Sequence, residues 1–222
     1  MRSWIHAFME TGMPTIAVTT RKGGAGKTTI TTAVAAHLAA GGVPVGILDL
    51  DPQGSASAWI AARGNNRAAI AHVRSKPSTL RDDLRKMAAD GVSTVVVDTP
   101  PHSDAALAGA VEVADAVLLP SLPSAFDLHA LASALETVKA FRRPAGVVLN
   151  AAVPNTLAIA ESQAAVAEMG MPLIGILTRR MAWQYAAARG LGPSELDPSC
   201  QAAKEVDGLC RAILGLLDGA KQ

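Results

Sequence analysis

Aromatic residues are scarce in this chain, at 3% of 222 residues, so a stacking platform for unpaired nucleic-acid bases has little to be built from. Cysteine is almost as sparse. Cys200 and Cys210 are too few and too close, on one late segment, for a disulfide framework, and thiols left unbridged in a reducing cytoplasm are expected. Neither sign of charge dominates. The formal net charge is +1, so any nucleic-acid binding must come from a local patch, one an oligomer can complete, rather than from the overall field. No apolar run approaches the roughly 20 residues that span a bilayer, and the opening MRSWIHAFMETG lacks a signal peptide's sustained apolar core. A cytoplasmic protein without stable membrane insertion is expected. Internal repeats and low-complexity blocks are lacking as well.

Half of the residues are hydrophobic, enough at this length to build one sizeable α/β domain. The stretch TIAVTTRKGGAGKTT, from Thr15 to Thr29, reads as a buried strand, a glycine-rich turn and a helix start. Gly23, Gly24 and Gly26 with Ala25 keep side chains out of the turn, so successive backbone N–H groups and the positive end of the helix can face phosphate oxygens. Lys27 would reach the terminal phosphates, the Thr28 hydroxyl would ligate a magnesium ion, and Thr29 would donate to an inner phosphate. The general phosphate-loop pattern requires a glycine where this chain has Arg21, and a second lysine, Lys22, stands directly before the glycine pair.

Apolar periodicity predicts strands at 15–18, 43–48, 68–73, 94–97, 116–119, 145–149 and 173–177, with helices at 28–40, 55–62, 77–89, 103–113, 125–141, 156–169, 181–189 and 200–217. Residues 63–66, 120–123 and 190–198 read as turn or loop. The alternation predicts a mostly parallel twisted sheet with helices on both faces over residues 14–222, and the glycine-rich loop gives that domain the look of a P-loop NTPase. Residues 1–13 read as a short extension, either disordered or a lead-in to the first strand. At the carboxyl edge of such a sheet, where ligands bind, the chain delivers DLDPQG at 49–54, DTPP at 98–101 and Asn150. Asp49 and Asp51 are two positions apart and so share a face, which lets both attend one site.

Lys-Gly-Gly-x-Gly-Lys-Thr at 22–28, together with DLDPQG and DTPP, resembles the deviant Walker A box and companion motifs of the ParA/MinD superfamily of partitioning ATPases. The resemblance covers nearly the whole chain from about residue 14. It is to the small type, without an N-terminal helix-turn-helix domain. The resemblance implies ATP and Mg²⁺ as ligands and a homodimer sandwiching two ATP molecules, with Lys22 reaching across to the partner's nucleotide. It also implies that Lys27 is the phosphate-loop lysine, that Asp51 positions or deprotonates the attacking water, and that Asp49 supports magnesium or its water shell. Asp98 matches the Walker B aspartate, Thr99, Pro100 and Pro101 match the switch that senses the γ-phosphate, and Asn150 matches the adenine contact. Slow hydrolysis stimulated by a ParB-like adaptor is implied. So is non-specific DNA binding of the ATP-bound dimer, which would place it on the nucleoid, with Arg179, Arg180, Arg189, Lys204 and Arg211 as candidates and Arg142 with Arg143 as a second cluster.

Rival readings fit less well. A MinD-like membrane-cycling ATPase needs a basic amphipathic terminal helix, and the last helix here carries Glu205, Asp207 and Asp218 among its basic residues. An iron-protein-like reductase needs cysteines mid-chain. A tyrosine autokinase usually has a tyrosine-rich tail, and Tyr185 is the one tyrosine. A metabolic P-loop enzyme leaves Lys22 without a purpose. His102 and Asp104 read as solvated loop residues rather than a metal pair, and His6, His37, His72 and His129 show no metal spacing.

Overall fold

A computed structural model describes residues 3–10, 12–64 and 67–219; residues 1, 2 and 11 of the expected extension and 65 and 66 of the expected turn lie outside it. Seven parallel strands form one sheet in the order β3-β2-β4-β1-β5-β6-β7. They are β1 (Thr15–Val18), β2 (Val45–Asp49), β3 (Ile70–Arg74), β4 (Thr94–Asp98), β5 (Ala116–Ser121), β6 (Ala145–Ala152) and β7 (Leu173–Thr178). The residues of β1, β2 and β4 are buried throughout, as the continuous apolar runs of a doubly covered parallel sheet require.

One face carries α2 (Lys27–Ala40), α3 (Ser55–Arg63) and α10 (Gln201–Gly219), whose apolar residues join Ile16, Val18 and Ile47 in one core cluster. The other carries α4 (Leu80–Ala89), α5 (Asp104–Val113) and α6 (Ala125–Ala140) over Ala17, Leu48 and Val97. Alternate residues of each strand thus feed opposite cores. The apolar stripe of α10, including Val206, Leu209, Ile213 and Leu217, is buried against the body. Among the described residues no helix is long and apolar enough to cross a membrane.

Three expectations change. Ser3–His6 forms a 3₁₀ turn running into α1 (Ala7–Glu10), with Ile5 and Phe8 buried in the core. Their spacing of three makes a stripe one turn long, too short to register as periodicity. Strand β5 continues through Pro120, which was read as loop. Leu118 bonds toward β1, so Pro120, two residues on, faces the same side, and there β1 has already left the sheet after Val18. No ladder donor is needed at that point. Finally, the segment read as loop at 190–198 contains a short helix, α9 (Pro193–Leu196), which is anchored by Glu195 to the buried Arg63 at 2.6 Å.

Candidate functional site

The order of strands reverses at β1, and the glycine-rich turn leaves the sheet there, pointing into the crevice expected at such a switch point. The turn closes at Gly26, with φ of 95°, and no side chain caps the first turn of α2. Its N–H groups therefore remain available to an anion. A methyl group at Gly26 would lie 2.0 Å from the Asn150 amide nitrogen. Gly26→Ala is expected to abolish nucleotide binding and to lower stability by about 1–2 kcal/mol for the left-handed backbone alone, read by nucleotide titration and urea melts.

Lys27 is buried and its ammonium donates to the Lys22 carbonyl at 2.9 Å, inside the loop itself. Burial lowers its pKa, and the negative charges of Asp98 and Asp51 only partly restore it. The Thr28 hydroxyl donates to Asp98 Oδ2 at 2.7 Å and the Thr31 hydroxyl to Asp98 Oδ1 at 3.2 Å. Thr29 occupies the same first turn. Asp98 is fully buried, and burial pushes its pKa up to about 7 against the Thr28 hydrogen bond, with the Asp49 charge adding to the rise. A hydroxyl and a carboxylate oxygen side by side at a strand end are the hard oxygen donors that suit Mg²⁺.

The two carboxylates of DLDPQG border one cleft. Strand β2 ends at Asp49, so Asp51 reaches that cleft from the following turn and not from a shared strand face. Asp49 is buried and accepts from the backbone N–H groups of Asp51 at 3.0 Å and Ser57 at 3.2 Å, and from the Ser57 hydroxyl at 2.8 Å. Burial raises its pKa, yet the hydrogen bonds from His72, Ser57 and the backbone prevail and hold it low. These bonds anchor the 49–57 turn. Asp51 is half-buried and borders a cleft of about 610 Å³ together with Pro100, Pro101, Arg74 and Lys76.

The switch segment is tied to the phosphate loop. Thr99 donates to the Val18 carbonyl at 3.0 Å, the His102 N–H donates to the Arg21 carbonyl at 3.0 Å, and Arg21 pairs with Asp104 at 3.1 Å. Pro101 lies against Gly23. Arg21, which breaks the general loop pattern, therefore joins the loop to the switch, and that departure was the signal available in the sequence. His102 and Asp104 form no metal cluster, nor does any group of three or more His, Cys, Asp or Glu among the described residues.

Two placements were not legible in the sequence. Asn150 donates its amide to the Ala25 carbonyl at 3.0 Å, bracing the loop. A break in the β6–β7 register and Ala151 at φ of 50° re-aim this end of β6. Lys22 donates to Asp127 Oδ2 at 2.7 Å, within its own chain. Asp127 is at the start of α6 after the N-cap Ser124, a spacing that reads only as a cap.

The basic candidates differ in their partners. Arg179, Arg180, Arg189, Lys204 and Arg211 are all exposed. Arg180 pairs with Glu205 at 3.5 Å, Arg189 donates to the Tyr185 carbonyl at 3.0 Å, and Arg211 pairs with Asp207 at 3.0 Å while lying 4.5 Å over the Trp4 ring. Arg211 therefore helps to hold the first helical turn of the chain. In the second cluster, Arg143 donates to the Glu112 carbonyl.

A profile of the CobQ/CobB/MinD/ParA nucleotide binding domain matches residues 16–193. The chain is 39% identical over 210 residues to the maintenance of carboxysome distribution protein A of Gloeobacter kilaueensis, covering 91% of this chain and 93% of that one. To the protein of the same name from Halothiobacillus neapolitanus it is 31% identical, covering 90% and 96%. The fold resembles that of the septum site-determining protein MinD from Pyrococcus horikoshii complexed with Mg-ADP, with a TM-score of 0.78, 16% identity, and 94% and 98% of the two chains covered.

Proposed function

The chain belongs to the CobQ/CobB/MinD/ParA nucleotide-binding family and is a positioning ATPase of its ParA/MinD branch, and from that premise we propose that it distributes a cargo of the carboxysome kind by cycling between a monomer and an ATP-bound, DNA-retained dimer. Near-full-length similarity to two proteins named for carboxysome distribution supports the cargo. The observation that carries the cycle is the placement of Lys22, Lys27, Thr28, Asp98 and Asp51 along one sheet edge.

In this reading Lys27 and the N–H groups of the loop neutralise and orient the phosphates of ATP. Thr28 and Asp98 would hold Mg²⁺, which when bound would supply neutralisation of phosphate charge. Asp51 orients the attacking water and accepts its proton, and Thr99 to Pro101 sense the γ-phosphate through their contacts with the loop. Lys22 crosses to the partner's nucleotide. The sequence shows no evident local arginine finger, so a protein adaptor is proposed to stimulate the slow reaction. The apolar face of α10 is buried against the body and is not offered to a membrane.

DNA retention tests the proposal. Arg179, Arg189 and Lys204 are exposed and form no ion pair among the described residues, so a dimer using them would contact about six phosphates, and the logarithm of affinity should fall against the logarithm of salt with a slope of about −5.4. Retention measured by gel shift should need ATP and Mg²⁺. Binding that ignores salt, or fails with ATP present, would overturn the DNA step.

A further inference from the structure

We propose that Asp127 is a latch that holds Lys22 inside its own subunit and thereby sets the threshold for ATP-dependent dimerisation. The inference rests on the proposed role of Lys22 across the dimer. The Lys22 ammonium meets Asp127 Oδ2 at 2.7 Å, and the Asp127 side chain is 4% exposed while that of Lys22 is 36% exposed. Oδ2 also accepts from the Ser124 hydroxyl. Oδ1 is buried and has no hydrogen-bond partner among the described residues.

This carboxylate is thus poorly provided for. Its one described cation is Lys22, which lies just before the glycine turn and is the residue that must leave if it is to reach a partner's phosphates. When Lys22 departs, a buried charge is left to a single hydroxyl, which is unfavourable. The latched conformer cannot offer the lysine, so the apparent dimer affinity is reduced by the fraction of chains that are unlatched. The γ-phosphate of a partner's ATP carries more negative charge than one carboxylate and can win the lysine, whereas a diphosphate competes less well. The latch therefore sharpens discrimination between ATP and ADP.

Asp127→Asn keeps a side chain of the same shape at the start of α6 while removing the charge. The protein concentration at half-dimerisation, in ATP and Mg²⁺, should fall about tenfold, the equivalent of one charge-assisted hydrogen bond between partly exposed groups. Ser124→Ala removes the cap hydroxyl but leaves the ion pair, so a similar gain in that variant would mean that loosening of α6 is the cause and would overturn the latch. An unchanged or raised midpoint in folded Asp127→Asn would overturn it too. If Lys22→Ala dimerises like the parent protein, the failure lies instead with the role of Lys22 across the dimer. Should Asp127→Asn not fold, amine acylation of the unaltered protein without nucleotide decides. Lys22 should react more slowly than the exposed Lys76, and equal rates would overturn the proposal.

Discussion

Asp98→Asn is expected to make the protein more stable above neutral pH and to stop ATP turnover. In the folded chain burial raises the Asp98 pKa to about 7, whereas the unfolded chain releases this proton near pH 4. Between those values the folded state binds the extra proton, so the contribution of this group to stability is fully present below about pH 4 and is lost as pH rises through about 7. Above that, the ionised carboxylate is a net penalty of up to about 4 kcal/mol, a figure that already includes the relief from the Thr28 and Thr31 hydrogen bonds. Asparagine removes the charge and keeps an acceptor for one hydroxyl. Measured in EDTA without nucleotide, the melting temperature of the variant should exceed that of the parent at pH 8, and the gap should close toward pH 4. A gap independent of pH would show that the buried charge is not its origin. Phosphate release should fall to background, because a neutral amide cannot replace a carboxylate beside Mg²⁺. The parent thus retains a destabilising charge where the proposed chemistry requires one.

Lys22→Ala is expected to abolish ATP-dependent dimerisation while nucleotide binding persists. Two triphosphates facing each other repel, and each crossing lysine offsets that repulsion through a charge-assisted hydrogen bond of about 1.5–3 kcal/mol. Two such bonds, related by symmetry, weaken the dimer about a hundredfold or more when both are lost. Nucleotide binding to one chain rests instead on Lys27 and the loop backbone, which the substitution leaves in place. Light scattering with ATP should report a monomer, and fluorescent-nucleotide titration a nearly unchanged affinity. The loss of Lys22 also strands the Asp127 carboxylate, so the single variant should melt earlier than the parent. Lys22→Ala combined with Asp127→Asn should recover the melting temperature without recovering the dimer. Recovery of both would point to folding rather than to a crossing lysine.

The strand and helix order was legible because parallel strands buried on both faces are continuous apolar runs, and the helices between them carry their stripes at helical spacing. The phosphate loop was legible because glycines beside two lysines at a strand-to-helix junction have a local purpose. Asp98 was legible for a similar reason: it ends a β-branched run, and a strand's last residue lies at the edge where ligands bind. Asp49 and Asp51 border one cleft, but not by alternation, because alternation is a property of strands and the strand ends at Asp49. Pro120 was misread as a loop signal because its tolerance depends on β1 leaving the sheet first.

By itself the sequence determined the class of ligand, the order of elements and the residues lining one sheet edge, all of which follow from spacing over a few neighbours. Only the tertiary structure decided where three of those side chains point. Lys22 meets a carboxylate 105 residues away, Asn150 braces a carbonyl 125 residues away, and Arg21 reaches into the switch at Asp104. Contacts at that separation are set by which strands become neighbours and how their ends are staggered, and no local pattern records it. The glycine-rich loop announces that phosphate binds, and the fold alone shows that its first lysine is already held by an aspartate on α6.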